Sequence, residues 1–179
     1  MNEPLYGTPH AHGTPSGPLS PPLLRASTAA QPDSEAVRAR GAGEVGGEFY
    51  QRMGHGNCRA FESLAAEREG ADGAVSFASG MAAMSAAILA FVRAGDRVLV
   101  AHEVYGGTVA LCGHDLPRFG VEVVRFSGLD LGELRAALGK GARLVVLETP
   151  VNPTLRLVDL APAAKLCREA GVISIVDGT

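Results

Sequence analysis

Five stretches of the chain carry residues whose types and spacing could serve a ligand site. Ser79-Gly80-Met81-Ala82 opens an alanine-rich run. A helix starting there presents free backbone N–H groups and a partial positive charge, and Gly80 lets a phosphate approach the main chain closely. Tyr105-Gly106-Gly107-Thr108 sets an aromatic ring before two glycines, so the ring can lie flat on a planar partner with nothing bulky behind it. Glu148-Thr149-Pro150-Val151-Asn152-Pro153 is stiffened by two X–Pro bonds, one of which could be cis, and this fixes where Asn152 points. Asp177 closes the apolar run from Val172 to Val176. A carboxylate there needs a partner, and a protonated ring nitrogen is one: the pairing keeps the ring cationic and able to withdraw electrons from a carbanion. In Tyr50-Gln51-Arg52 a phenol and a guanidinium stand two residues apart. On an extended segment they share one face and can hold the same phosphate oxygens.

Each stretch also has an ordinary structural use. Ser79 can be a helix N-cap, Tyr105 a half-buried ring beside a turn, and the Pro-Asn segment a plain turn. Asp177 can cap a helix or bind a metal, Tyr50 and Arg52 can be an exposed pair, and His102 reads as a polar turn residue rather than a base.

The elements that must position these residues follow from hydrophobic patterning. Short apolar runs predict strands over 74–78, 97–101, 121–124, 144–147 and 172–176. Between them, apolar residues returning every three or four positions predict helices over 80–93, 105–118, 130–138 and 159–170. Strands apolar on both faces and separated by helices imply an α/β fold with a mostly parallel sheet flanked by helices. Ligands gather at the carboxyl ends of such strands, where Ser79, Tyr105, Asn152 and Asp177 all fall. Residues 1–47 hold seven of the eleven prolines, many glycines and little periodic hydrophobicity, which predicts an extended or partly disordered arm before a body formed by residues 48–179.

Bulk properties narrow the partners. At 179 residues with 46% hydrophobic residues the chain is long enough for one ordinary domain, and a net charge of −3 gives no reason to expect nucleic acid or an anionic membrane. Cys58, Cys112 and Cys167 are odd in number and widely spaced, which suggests neither a disulfide framework nor a zinc site. The N-terminus lacks the apolar core of a signal peptide, and the most apolar stretch, Met81 to Val92, is too short to span a bilayer. A cytoplasmic location is expected.

Taken in order, Tyr50-x-Arg52, Ser79-Gly80-Met81-Ala82, Tyr105-Gly106-Gly107-Thr108, Glu148-Thr149-Pro150-x-Asn152-Pro153 and Val176-Asp177 resemble the front half of the cysteine and methionine metabolism family of pyridoxal-phosphate enzymes. That family includes cystathionine synthases and lyases, methionine γ-lyase and O-acetylhomoserine sulfhydrylase. The resemblance implies an aspartate-aminotransferase type I fold and pyridoxal 5'-phosphate as cofactor. It also implies a sulfur amino acid or activated homoserine as substrate, and a homodimer within a homotetramer.

By the same resemblance Gly80 and Met81 offer backbone N–H groups to the phosphate, beside Ser79. Tyr50 and Arg52 reach the phosphate of a neighbouring subunit's cofactor. Tyr105 stacks on the ring and helps in proton transfer, Asn152 bonds the ring hydroxyl, and Asp177 pairs with the ring nitrogen.

Three departures stand out. His55-Gly56-Asn57 occupies the place of the family's Asn-Pro-Thr, and Gly178 replaces an Asn after the acid. The family's Schiff-base lysine lies downstream of the Asp, whereas the only lysines here, Lys140 and Lys165, precede Asp177 and read as solvated surface residues. The expectation is a chain truncated before the C-terminal domain and inactive alone, which would bind cofactor or associate with a full-length homologue. Ala110, where several synthases and lyases carry Arg, leans toward a γ-lyase or sulfhydrylase. A remote alternative is a haloacid-dehalogenase-like phosphatase, from Asp177-Gly178-Thr179, although Ile175 stands where the first acid of its Asp-x-Asp-Gly-Thr loop belongs.

Overall fold

The computed structural model describes residues 22–179. The chain divides into two compact units, one ending at Ser76 and the other running from Phe77 to Thr179.

In the first unit, helix α1 (Ser34–Gly41) starts at Asp33, whose carboxylate accepts the Ala36 N–H at 2.8 Å. Part of the expected extended arm is therefore helical, while residues 1–21 lie outside the described residues. A capping Asp, Glu35 in the first turn and Arg38 and Arg40 in the last are local helix signals. None of its residues is buried, so it carries no apolar stripe and hydrophobic periodicity misses it. Helix α2 (Gly56–Glu69) is capped by His55, whose Nδ1 accepts the Asn57 N–H at 3.3 Å, and ends at Gly70 in the left-handed region, φ 61°.

Residues 74–78 do not form the expected strand. The Ser76 N–H and hydroxyl both donate to Glu62 Oε1, at 2.8 and 2.7 Å, so the backbone donor that a ladder requires is committed to α2. Val75 stays exposed.

The second unit is a four-stranded, wholly parallel sheet: β1 (Arg97–Ala101), β2 (Glu122–Phe126), β3 (Leu144–Glu148) and β4 (Ile173–Asp177), in the order β2-β1-β3-β4. Helix α3 (Gly80–Phe91) leads into β1, and α4 (Gly106–Ala110), α5 (Leu116–Arg118), α6 (Leu131–Leu138) and α7 (Leu160–Glu169) connect the strands. The expected helix 105–118 exists but is wound as a π turn over Leu111–Asp115, around Gly113.

Central strands β1 and β3 are buried along almost their whole length, with Val98, Leu99, Val100, Leu144, Val145 and Val146 sealed from solvent. Each such side chain contributes about 1.5–3 kcal/mol of hydrophobic stabilisation. At the edge, β4 alternates between half-buried and exposed residues. From β1 the chain moves outward to β2 on one side, and β3 then returns to the other side of β1. A reversal of this kind opens a crevice at the carboxyl ends of the two central strands.

Candidate functional site

That crevice is a cavity of about 540 Å³ lined by Ser79, Gly80, Met81, Tyr105, Glu148, Pro150, Asn152, Leu155, Asp177 and Thr179. Its size is that of a small-molecule site. Six residues singled out from the sequence, Ser79, Gly80, Met81, Tyr105, Asn152 and Asp177, meet in it.

The N-terminus of α3 forms one wall. Ser79 caps the helix: its Oγ accepts the Ala82 N–H at 3.1 Å, and its carbonyl accepts the Ala83 N–H at 3.1 Å. Helix geometry then leaves the N–H groups of Gly80 and Met81 without an intrahelical acceptor. The structural use of Ser79 and its proposed ligand role are compatible, because the cap takes a lone pair and leaves the hydroxyl proton free to donate. A Cβ placed on Gly80 would meet no protein atom within 4 Å. The space over that amide is open to a ligand.

Tyr105 follows β1 by four residues, half-exposed on the cavity wall. A Cβ on Gly107 would stand 2.7 Å from Met81 Sδ and 2.8 Å from Tyr105 Cε1, whereas one on Gly106 would meet nothing. Of the two glycines, Gly107 is the one that gives the ring its room.

Asn152 sits in the loop after β3, where both Thr149–Pro150 and Asn152–Pro153 are cis. Leu155, with a left-handed φ of 55° and an exposed side chain, closes that loop at the cavity rim. Asp177 ends β4 in register with Glu148 of β3. Its Oδ1 accepts both the N–H and the hydroxyl of Thr179, at 3.1 and 2.6 Å, which leaves Oδ2 for another donor.

The sequence reading passed over Glu148 as a site residue. The residue is 4% exposed, and its carboxylate accepts two backbone N–H groups, those of Tyr105 and Asn152, the latter at 2.9 Å. An acid closing the apolar run Leu144–Leu147 is the same costly arrangement that drew attention to Asp177, and that signal would have found it.

Tyr50 and Arg52 belong to the first unit. Residues Gln51–Met53 form a 3₁₀ turn rather than the expected extended segment. The two side chains nevertheless come together, with the guanidinium carbon 5.0 Å from the Tyr50 ring centre. His102 is an exposed turn residue, bonded through its backbone to Phe126 and Arg125. Lys140 is exposed after α6, and Lys165 on α7 faces solvent beside Glu169 at 3.8 Å.

The donor set fits a phosphorylated cationic ring. The lining contains two carboxylates and neither Lys nor Arg. Glu148 is satisfied by backbone amides, so the unmatched negative charge is that of Asp177, which suits a protonated ring nitrogen. The N-terminus of α3 on the same cavity offers free N–H groups suited to an anionic group.

Comparison with known proteins accords with this chemistry. The chain belongs to the family of Cys/Met metabolism PLP-dependent enzymes, whose sequence model matches residues 8–179. It is 34% identical over 171 residues to the L-methionine gamma-lyase of Pseudomonas putida, covering 96% of this chain and 42% of that enzyme. Among solved structures it resembles cystathionine gamma-lyase from Lactobacillus plantarum complexed with L-serine, with a TM-score of 0.80 and 34% identity over 92% of this chain and 40% of that one. It also resembles a putative O-acetylhomoserine (thiol)-lyase from Campylobacter jejuni that carries N'-pyridoxyl-lysine-5'-monophosphate. There the TM-score is 0.82, at 26% identity over 89% of this chain and 40% of that one. The chain thus spans about two fifths of the length of these relatives and shares their fold. Membership of this family displaces the phosphatase reading.

Proposed function

We propose that the cavity is the pyridoxal 5'-phosphate cradle of an enzyme that eliminates or replaces a β- or γ-substituent on a sulfur amino acid or an activated homoserine. The carrying observation is the convergence of the open α3 N-terminus, Tyr105, Asn152 and Asp177 on one cavity. When bound, the cofactor supplies an electron sink for a substrate carbanion. Gly80 and Met81 hold its phosphate through N–H groups, with the Ser79 hydroxyl as a third donor. Tyr105 lies against the ring face and its phenol is placed to move a proton; Asn152 orients the ring through its polar edge. Asp177 keeps the proton on the ring nitrogen.

In this reading residues 1–47 are an arm and residues 48–179 the front part of the cofactor domain. Tyr50 and Arg52, already paired with each other, complete the phosphate site of a second subunit in a homodimer or homotetramer. A cytoplasmic location belongs to the same reading. No helix among the described residues is long and apolar enough to cross a membrane. Neither lysine lines the cavity, so the chain alone binds cofactor without turning over substrate. Ala110 favours a γ-lyase or a sulfhydrylase, and relatives of both kinds match the chain at similar identity.

Equilibrium dialysis of pyridoxal 5'-phosphate against the chain tests the cradle. One saturable site per chain, weakened in D177A and N152A, is expected. Uptake that is unsaturable or indifferent to both substitutions rejects it.

A further inference from the structure

Among the described residues Glu148 is the one buried carboxylate, and none of their Lys, Arg or His side chains pairs with it. An acid so placed is retained only if hydrogen bonds satisfy it. Both oxygens are in use: Oε2 accepts the Tyr105 N–H and Oε1 accepts the Asn152 N–H at 2.9 Å. The two amides belong to different loops, one after β1 and one after β3, brought together only by the pairing of those strands. Tyr105 itself is in extended backbone just ahead of α4, φ −51° and ψ 143°, where no helical or ladder bond serves its N–H.

We infer that Glu148 is a positioning residue: a single carboxylate clamps the backbone of the ring platform, Tyr105, to that of the polar ring-edge residue, Asn152, and so sets the width of the cradle between them. The clamp requires an acid. An amide of the same shape has one accepting oxygen and one donating nitrogen, so in either orientation Gln would face one of the two N–H groups with another donor. Asp would retract the carboxylate by one methylene from loops whose spacing the strands fix. The clamp is a statement about this chain's own atoms. Its consequence for cofactor rests on the reading given under Proposed function.

Amide hydrogen exchange, resolved by residue in the ¹⁵N-labelled chain, tests the clamp without cofactor. In the wild-type chain the Tyr105 and Asn152 amides are both protected. In E148Q at least one loses protection and the other changes its resonance, while the amides of β1 and β3 stay protected. Solvent-like exchange at either amide in the wild type overturns the inference, as does E148Q with both unchanged. The wild-type arm decides the matter even where E148Q does not fold.

Titration with pyridoxal 5'-phosphate then gives E148Q about ten-fold weaker binding, with an altered visible circular dichroism of the bound ring. Equal affinity and an identical signal in the two proteins reject the role in the cradle. Failure of the wild-type chain to bind cofactor sinks the cradle reading alone, and the amide measurement still judges the clamp.

Discussion

Gly107 and Tyr105 are matched in shape: a Cβ on Gly107 would come 2.8 Å from Cε1 of the Tyr105 ring and 2.7 Å from Met81 Sδ. Both are side-chain atoms that can move, so the stability effect of G107A is small. Overpacking costs about 1–3 kcal/mol, toward the low end here, and replacing a helical Gly by Ala returns about 0.5–1 kcal/mol. The expected result is a melting temperature close to wild type with weakened cofactor binding, because the displaced ring enters the space the cofactor uses. Thermal melts paired with dialysis check this. Unaltered cofactor affinity would show that ring placement does not depend on Gly107.

The three cysteines should separate by burial. Cys58 is exposed, and Cys112 and Cys167 are buried, so a thiol reagent added to the folded chain labels Cys58 first and the other two only on unfolding.

Alkaline pH should reveal Cys112 separately. Burial pushes its thiol up from about 9.0 to about 11, with Arg125 opposing part of the shift. The unfolded thiol therefore ionises first, and stability falls as pH rises through the window between about 9 and about 11. C112A removes that contribution. Its melting temperature starts lower because a buried sulfur is lost, but declines less steeply across the same window. Parallel curves for the two proteins would contradict the assignment.

Lys140 and Lys165 should play no covalent role. Borohydride reduction in the presence of pyridoxal 5'-phosphate is expected to leave neither stoichiometrically labelled. Peptide mass mapping reads the outcome directly, and full labelling of Lys165 would place it at a site its solvent-facing position on α7 does not allow.

Much of this was legible in the residues because the site uses strand ends. Four of the five predicted strands form, with bounds shifted by no more than two residues at an end: runs such as Leu144–Leu147 suit burial on both faces at the middle of a parallel sheet, and the edge strands β2 and β4 keep the same Val- and Ile-rich signal with less burial. The fifth, at 74–78, carried the same apolar signal and failed for a tertiary reason, the capture of Ser76 by Glu62. Strand order was not legible at all. It depends on which side of β1 the chain returns to, and that choice brings Tyr105 and Glu148 together. Helix α1 escaped because it buries nothing, and the Tyr50–Arg52 pair was found for the wrong local geometry, a 3₁₀ turn in place of an extended segment.

The central claim, that the cavity cradles pyridoxal 5'-phosphate with its phosphate on the N-terminus of α3, is tested most directly by amide chemical shifts. Titrating the ¹⁵N-labelled chain with pyridoxal 5'-phosphate should move the Gly80 and Met81 amides most, and pyridoxal lacking the phosphate should leave those two nearly still. Equal responses to both compounds, or largest shifts away from residues 79–81, would contradict it.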